Sequence, residues 1–442
     1  MPEHTPVTAL PDVPAAARTH TEDLGAFVTA SPSSYHAAAE MVRRAEEAGF
    51  ARLTETDAWE IVPGGRYVVV RDGSAIAVVV PPSAGPTTPF TVLGTHTDSP
   101  GFKLKPRPTT GRDGWVQAGV EVYGGPLLNS WLDRELELAG RLVTRDGVEH
   151  LVRTGPFARI PQLAIHLDRQ VNEGLTLDKQ RHTQPVLALG EVSDADVLAE
   201  LAARASTGGH EIDPADVVGY DVVVADTQAP RAFGAREELW ASGRLDNLLS
   251  THAALTALLD ADADALAGIA VVAAFDHEEI GSASRSGAAG PFLEDVLGRV
   301  ADGLGAHDED RRRALAASLC VSSDVGHAVH PNYPERHDPA NQPHAGGGPI
   351  LKINANQRYT TDAHGAATWQ AACEAAAVPT QEFVSNNAIP CGSTIGPITA
   401  TRLGIRVVDV GVPILSMHSA RELTAVVDPW YLARAMGAVL VR

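Results

Sequence analysis

Residues 268–275, Gly-Ile-Ala-Val-Val-Ala-Ala-Phe, form an unbroken apolar run that leads straight into Asp276, His277, Glu278 and Glu279. The run has strand length and is rich in β-branched side chains. It therefore reads as a strand covered on both faces, the kind found in parallel sheets. Two adjacent carboxylates at the end of such a strand are costly unless a cation or a proton neutralises them. A hydrolase can divide their duties, one serving as general base and the other as metal ligand. The competing reading is an ordinary solvated Glu-Glu pair, and the rest of the chain has to decide between the two.

At 442 residues the chain exceeds one ordinary core, so two or more domains are expected. A formal charge of -20, from 35 Lys+Arg against 55 Asp+Glu, repels nucleic acid and anionic membranes, and neither is expected as a partner. Cys320, Cys373 and Cys391 form no CxxC pair and no disulfide framework, which favours a reducing cytoplasm. Residues 1–18 lack the basic start and apolar centre of a signal peptide. No run of about 18 apolar residues is present to span a membrane. Residues 1–20 are expected to be loosely attached.

Helices are predicted over 21–27 and 34–49, the second opening on serines and closing on Gly49. Asp72-Gly73 joins two β-rich runs, 66–71 and 75–80, as a hairpin. Residues 90–95 then form a buried strand that delivers His96. Between about 100 and 235 the texture changes to short strands (115–122, 137–144, 217–225) among many Pro and Gly, and this stretch reads as a separate, mostly β insertion. After Ser242 the chain alternates again. Helices are expected at 246–259, 291–300, 311–317 and 363–377, and strands at 268–275, 318–323, 350–354 and 404–410. Alternation of this kind predicts an α/β fold with a mostly parallel sheet covered by helices, whose ligands sit beyond the carboxyl ends of the strands.

Further acids and histidines fall at those strand ends. His96 and Asp98 lie two apart in Gly94-Thr95-His96-Thr97-Asp98-Ser99-Pro100, so in extended backbone both point to one side. That suits an imidazole ligand oriented by a carboxylate, although a polar loop reads the same way. Asp246 precedes the apolar helix and is either an ordinary cap or a carboxylate bridging two metals. Asp324 ends one strand and His418 follows another. Together these residues supply imidazole and carboxylate in the proportion two zinc-type ions require, with no cysteine among them.

In this order the segments closely resemble the aspartyl aminopeptidase family of di-zinc metallopeptidases. The matching strings include 94–100, Arg244-Leu245-Asp246-Asn247, Asp276-His277-Glu278-Glu279-Ile280-Gly281-Ser282, Ser323-Asp324-Val325-Gly326-His327, Pro390-Cys391-Gly392-Ser393-Thr394 and Met417-His418-Ser419-Ala420-Arg421-Glu422. The resemblance implies a metal-dependent aminopeptidase that acts on peptides, prefers acidic N-termini, and uses two divalent ions, Zn2+ with Co2+ or Mn2+ as alternatives. It implies a catalytic domain of residues 1–99 and 236–442, interrupted at 100–235 by a β-rich dimerisation domain, and assembly into a tetrahedral dodecamer. Carried over by motif, His96, Asp246 and Asp324 hold one metal, and Asp246, Glu279 and His418 hold the other. Glu278 is the catalytic base, and Asp98 orients His96.

The resemblance also implies that His166, within the insertion, reaches a neighbouring subunit's active site. An acidic first residue needs a basic partner, for which Lys352 is favoured over Arg358. Cys391 has no assigned base and is not read as a nucleophile. His330, His337 and His344 form either a third metal site or a substrate-lining loop, with the loop preferred, and His182 and His210 are given no catalytic role. Neutral N-terminal preference and a non-catalytic scaffold are the alternatives.

Overall fold

The computed structural model describes residues 12–205 and 212–442. Most of the first stretch expected to be loose, 1–11, lies outside them, as does His210. Residues 12–20 depart from the expectation, because the first helix already starts at Ala15 and runs to Ala30 with Ala17, Leu24 and Phe27 in the core.

The larger sheet has nine strands. Its centre is four parallel strands side by side, Ile269–Phe275, Phe90–His96, Leu319–Ser323 and Arg406–Gly411. The predicted hairpin, Arg66–Arg71 with Ser74–Val79, flanks them antiparallel on one side, with Ala51–Leu53 at the edge. On the other side Ile350–Ile353 pairs antiparallel with Arg406–Gly411, and Gln381–Val384 pairs parallel with Ile350–Ile353.

Period-two alternation divides the strand side chains between two cores. Leu93, Val272, Val321 and Val408 pack with helices Ala15–Ala30, Ser34–Glu47, Leu245–Leu259, Ala363–Ala375 and Val427–Leu440. Val92, Val271, Cys320 and Val407 pack with Phe292–Gly303, Asp308–Ala316 and Ile395–Leu403. Burial on both faces explains why these strands read as continuous apolar runs. Ser33 caps its helix by accepting from the His36 N–H, and Asp362 and Thr394 cap theirs in the same way.

A second sheet of six strands comes wholly from residues 101–226 and has its own core around Phe102, Trp131, Leu138 and Leu142. Its long hairpin, Gly101–Arg112 with Trp115–Tyr123, turns at Asp113-Gly114. Both of those residues have positive φ, as this tight connection requires. This stretch is not purely β, since helix Val197–Ala205 covers part of the core. Helices Ile395–Leu403 and Val427–Leu440 are also additions to the elements expected from sequence.

Candidate metal centre

Parallel pairing carries three chain segments to one edge. Phe275 lies opposite His96 in register, and Ser322 lies opposite Gly94, so Glu278, Glu279, His96 and Asp324 emerge together. Asp246 and His418 come from the segments beside them. The expectation of Asp246 as the start of a regular helix fails locally. Asp246 and Asn247 have non-helical backbone, Arg244 before them is left-handed, and no side chain caps this end. The Asp246 carboxylate is thereby free to face the strand ends.

Three groups of ligand atoms result, a first triad of His96, Asp246 and Asp324, a second of Asp246, Glu279 and His418, and a third of His96, Glu278 and Glu279, each with ligand atoms within 4.8 Å of one another. Asp246 belongs to the first two. Its Oδ1 lies 3.3 Å from Nε2 of His96, and its Oδ2 lies 3.3 Å from Nε2 of His418. Asp324 Oδ1 stands 3.8 Å from His96 Nε2, and Glu279 Oε2 stands 3.5 Å from His418 Nε2. Glu278 keeps slightly further off, with Oε2 4.0 Å from His96 Nε2.

Asp98 does more than face His96, whose Nδ1 lies 3.3 Å from Oδ1 and 3.1 Å from the Asp98 carbonyl. Its two carboxylate oxygens also accept from the backbone N–H groups of Glu278 (3.0 Å) and Glu279 (3.1 Å). One buried side chain thus fixes an imidazole and the backbone of the acidic pair.

The electrostatics show a surplus of negative charge. Burial pushes the Glu278 carboxyl up to about 8; His96 opposes the rise, and Asp324, Asp246 and Asp98 add to it. Burial and Asp246 also raise Glu279 well above its ordinary value. Burial alone would depress the two imidazoles. The carboxylates overcome it, holding His96 well above its usual value and His418 near 9. The donor set fits divalent cations. Nε2 of His96 and Oδ1 of Asp246 are buried without a hydrogen-bond partner among the described residues, and they face each other across the first triad. Imidazole plus carboxylate with no thiolate suits zinc, cobalt or manganese.

Residues 27–436 match the family model for the aminopeptidase I zinc metalloproteases (M18). The chain belongs to this family. It is 57% identical over 429 residues to a probable M18 family aminopeptidase 2 of Streptomyces avermitilis, covering 96% of this chain and 98% of that protein. Among solved structures it superposes with TM-score 0.93 on a cryo-EM structure of an Ape4 and Nbr1 complex, at 37% identity over 97% of this chain and 86% of that one. It superposes with TM-score 0.82 on the mApe1 dodecamer of S. cerevisiae, at 25% identity over 95% and 96% of the two chains. The protein is a metalloaminopeptidase with the α/β fold of the M18 enzymes.

Two residues to which the sequence reading gives no role support this cluster. Glu422 is buried, and its carboxylate accepts from the Asp246 N–H (2.9 Å) and from the His418 N–H (2.8 Å). Its place four residues after His418, inside a motif already singled out, was the available signal. Tyr123, at the end of an inserted strand, donates its hydroxyl to Asp98 Oδ2 at 2.8 Å. Nothing in the local sequence pointed to it. Nearby, the Gly125 carbonyl lies 3.0 Å from His418 Nδ1.

Lys352 is 3% exposed and lines the same cleft as Glu278, Asp324 and His327. Its Nζ donates to the Val325 carbonyl (2.9 Å) and lies 5.3 Å from the Tyr359 ring, and it forms no ion pair among the described residues. Arg358 is exposed on the same wall. His166 is also exposed and does not line the cleft of its own chain; its neighbours Leu163, Ile165 and Leu167 are large exposed apolar side chains. His330 and His337 line an adjoining groove, His344 does not, and no metal-type cluster forms there among the described residues. No helix among the described residues is long and apolar enough to cross a membrane.

Proposed function

We propose that this M18 enzyme removes acidic residues from peptide N-termini at a centre of two divalent cations, most readily zinc. His96, Asp246 and Asp324 would hold one cation, and Asp246, Glu279 and His418 the other, with Asp246 bridging. Bound there, the pair would supply Lewis acidity, making a water nucleophilic at neutral pH and polarising the scissile carbonyl. Asp98 keeps His96 in the ligating orientation and Glu278 at its station. Glu278, a ligand of neither cation in this reading, takes the proton of the attacking water and returns it to the leaving amine.

The observation that carries the acidic preference is Lys352, a buried ammonium in the cleft with no anionic partner among the described residues. Buried charges are normally paired. A substrate Asp or Glu side chain would provide the pair, whereas a Leu would leave the ammonium unpaired, and a group left unpaired in this way discriminates strongly.

Residues 100–235 act in this reading as a dimerisation domain on a catalytic domain built from 1–99 and 236–442, within a tetrahedral dodecamer. The exposed His166 among exposed apolar neighbours supports its delivery to a neighbouring subunit's cleft, and the likeness to a dodecameric mApe1 supports the assembly. Three free cysteines, two of them buried, support work in the reducing cytoplasm.

The test is release of the first residue from short peptides beginning with Asp, Glu, Leu, Ala or Lys, using enzyme as purified, chelated, and reloaded with zinc, manganese or cobalt. The expected result is a strong Asp/Glu preference that chelation abolishes and metal restores. Equal cleavage of Leu peptides would discard Lys352 as the specificity determinant.

A further inference from the structure

Beneath the Lys352 wall lies a carboxylate that the chemistry above does not use. Asp409 sits in the strand Arg406–Gly411, between the strand that leads into Asp324 and the strand that carries Lys352. It is 0% exposed, and among the described residues no cation pairs with it. Its charge is met by hydrogen bonds alone. Oδ2 accepts from the Thr360 N–H (2.6 Å) and the Thr360 hydroxyl (2.7 Å), and Oδ1 accepts from the Thr394 hydroxyl (2.6 Å).

Those two threonines belong to the two loops that wall the cleft beside Lys352. Thr360 follows Arg358 and Tyr359, and Thr394 ends the turn of Gly392 and Ser393; all but Thr360 line the cleft. The loops also clasp each other weakly, through Arg358 Nε to the Gly392 carbonyl (3.3 Å) and the Ser393 hydroxyl to the Arg358 carbonyl (3.4 Å). The packing leaves no slack. A Cβ on Gly396, at the start of the helix that Thr394 caps, would fall 2.5 Å from Asp409 Oδ1. An ionised carboxylate only accepts, so it fixes both hydroxyls as donors and locks the loops in one arrangement.

We propose that Asp409 is a positioning residue for specificity. It ties the 358–360 segment to the 392–394 turn and so sets where Arg358 and Tyr359 stand relative to Lys352. This rests on the acidic-pocket reading for the direction of the specificity change, though not for the effect on substrate affinity.

The experiment compares wild type with Asp409→Ala, Asp409→Asn, Thr360→Val and Thr394→Val on Asp- and Leu-starting peptides, with metal content measured for each. Asp409→Ala should raise KM for Asp peptides roughly 10- to 100-fold, the scale on which shifted substrate-positioning groups act. It should narrow the Asp-over-Leu ratio while leaving kcat within a few-fold and metal content unchanged. Asp409→Asn, which keeps one acceptor for Thr360, should recover much of the loss. If Asp409→Ala does not fold, the two threonine variants carry the same test with smaller KM shifts. Unchanged KM and selectivity in a folded variant, or a kcat loss that tracks metal loss, overturns the proposal. If wild type shows no acidic preference, the pocket reading fails by itself. A KM rise common to all peptides would then still support Asp409 as organiser of the cleft, and its absence would refute it.

Discussion

The two sheets contribute to one site in different ways. The parallel sheet presents the reactive side chains, because strands aligned in one direction end on one edge and place His96, Glu278, Glu279 and Asp324 within reach of each other. The inserted sheet presents none of the triad residues. It reaches the edge through residues 123–130, from the last residue of strand Trp115–Tyr123 onward, and that segment supports the others. Tyr123 bonds Asp98, the Gly125 carbonyl meets His418, the Leu127 N–H bonds the His418 carbonyl at 2.9 Å, and Ser130 accepts from the Ala420 N–H at 2.9 Å. Chemistry is thus concentrated in one region, and much of its alignment is supplied from the other. Substitutions in the two regions should consequently differ in kind as well as in size.

The largest effect belongs to the parallel-sheet edge. Glu278→Gln keeps the shape of the side chain and removes the base, so kcat should fall by about 10²- to 10⁴-fold while metal content stays at the wild-type level. Steady-state kinetics beside metal analysis checks both halves. Retained turnover would remove Glu278 from the mechanism and leave the triads without a proton acceptor.

Glu422→Gln comes next and acts one step back. A glutamine must turn its amide nitrogen toward either the Asp246 N–H or the His418 N–H, so one of the two backbone donors loses its acceptor. Metal affinity should fall about 10- to 100-fold, and raised metal concentration should restore activity. A variant that binds metal normally but remains slow would instead place Glu422 close to the substrate.

Legibility in the sequence follows the same division. The buried strands, the Asp-Gly hairpin and the helices with Ser or Gly at their ends were readable because each is dictated by local pattern, as with the apolar run that ends at Phe275. The strand-end acids were readable because charge after such a run is costly. The helix Val427–Leu440 passed unseen because it is apolar over much of its surface and packs under the sheet, so the polar face that marks an amphipathic helix is weak. Residues 12–20 were misread because their Pro- and Ala-rich composition resembles a tail, yet tertiary packing holds the helix from Ala15 onward. Tyr123 lay beyond reach for a different reason. Its partner Asp98 is 25 positions away in the connection between the two sheets, and such a contact leaves no periodic trace.

Tyr123→Phe is the smallest predicted effect, and it sharpens the comparison most. The substitution deletes a hydroxyl and leaves the ring. Burial and the neighbouring Asp98 carboxylate push the phenol well above its usual pKa, so at working pH it is always a donor and its loss cannot be mimicked by titration. Asp98 keeps its other contacts, to His96, Glu278 and Glu279. One donor of several is removed, so the loss should lie at the low end for an outer-shell partner of a metal site, about tenfold in kcat. KM should be little changed, because the affected group does not touch Lys352, and metal content should hold because Asp98 keeps its contacts to His96 of the first triad and Glu279 of the second. If Tyr123→Phe equals wild type, the inserted sheet acts on this site through Gly125, Leu127 and Ser130 instead. If it matches Glu278→Gln, the inserted sheet is as necessary to the chemistry as the strand ends, and the division between the two regions fails.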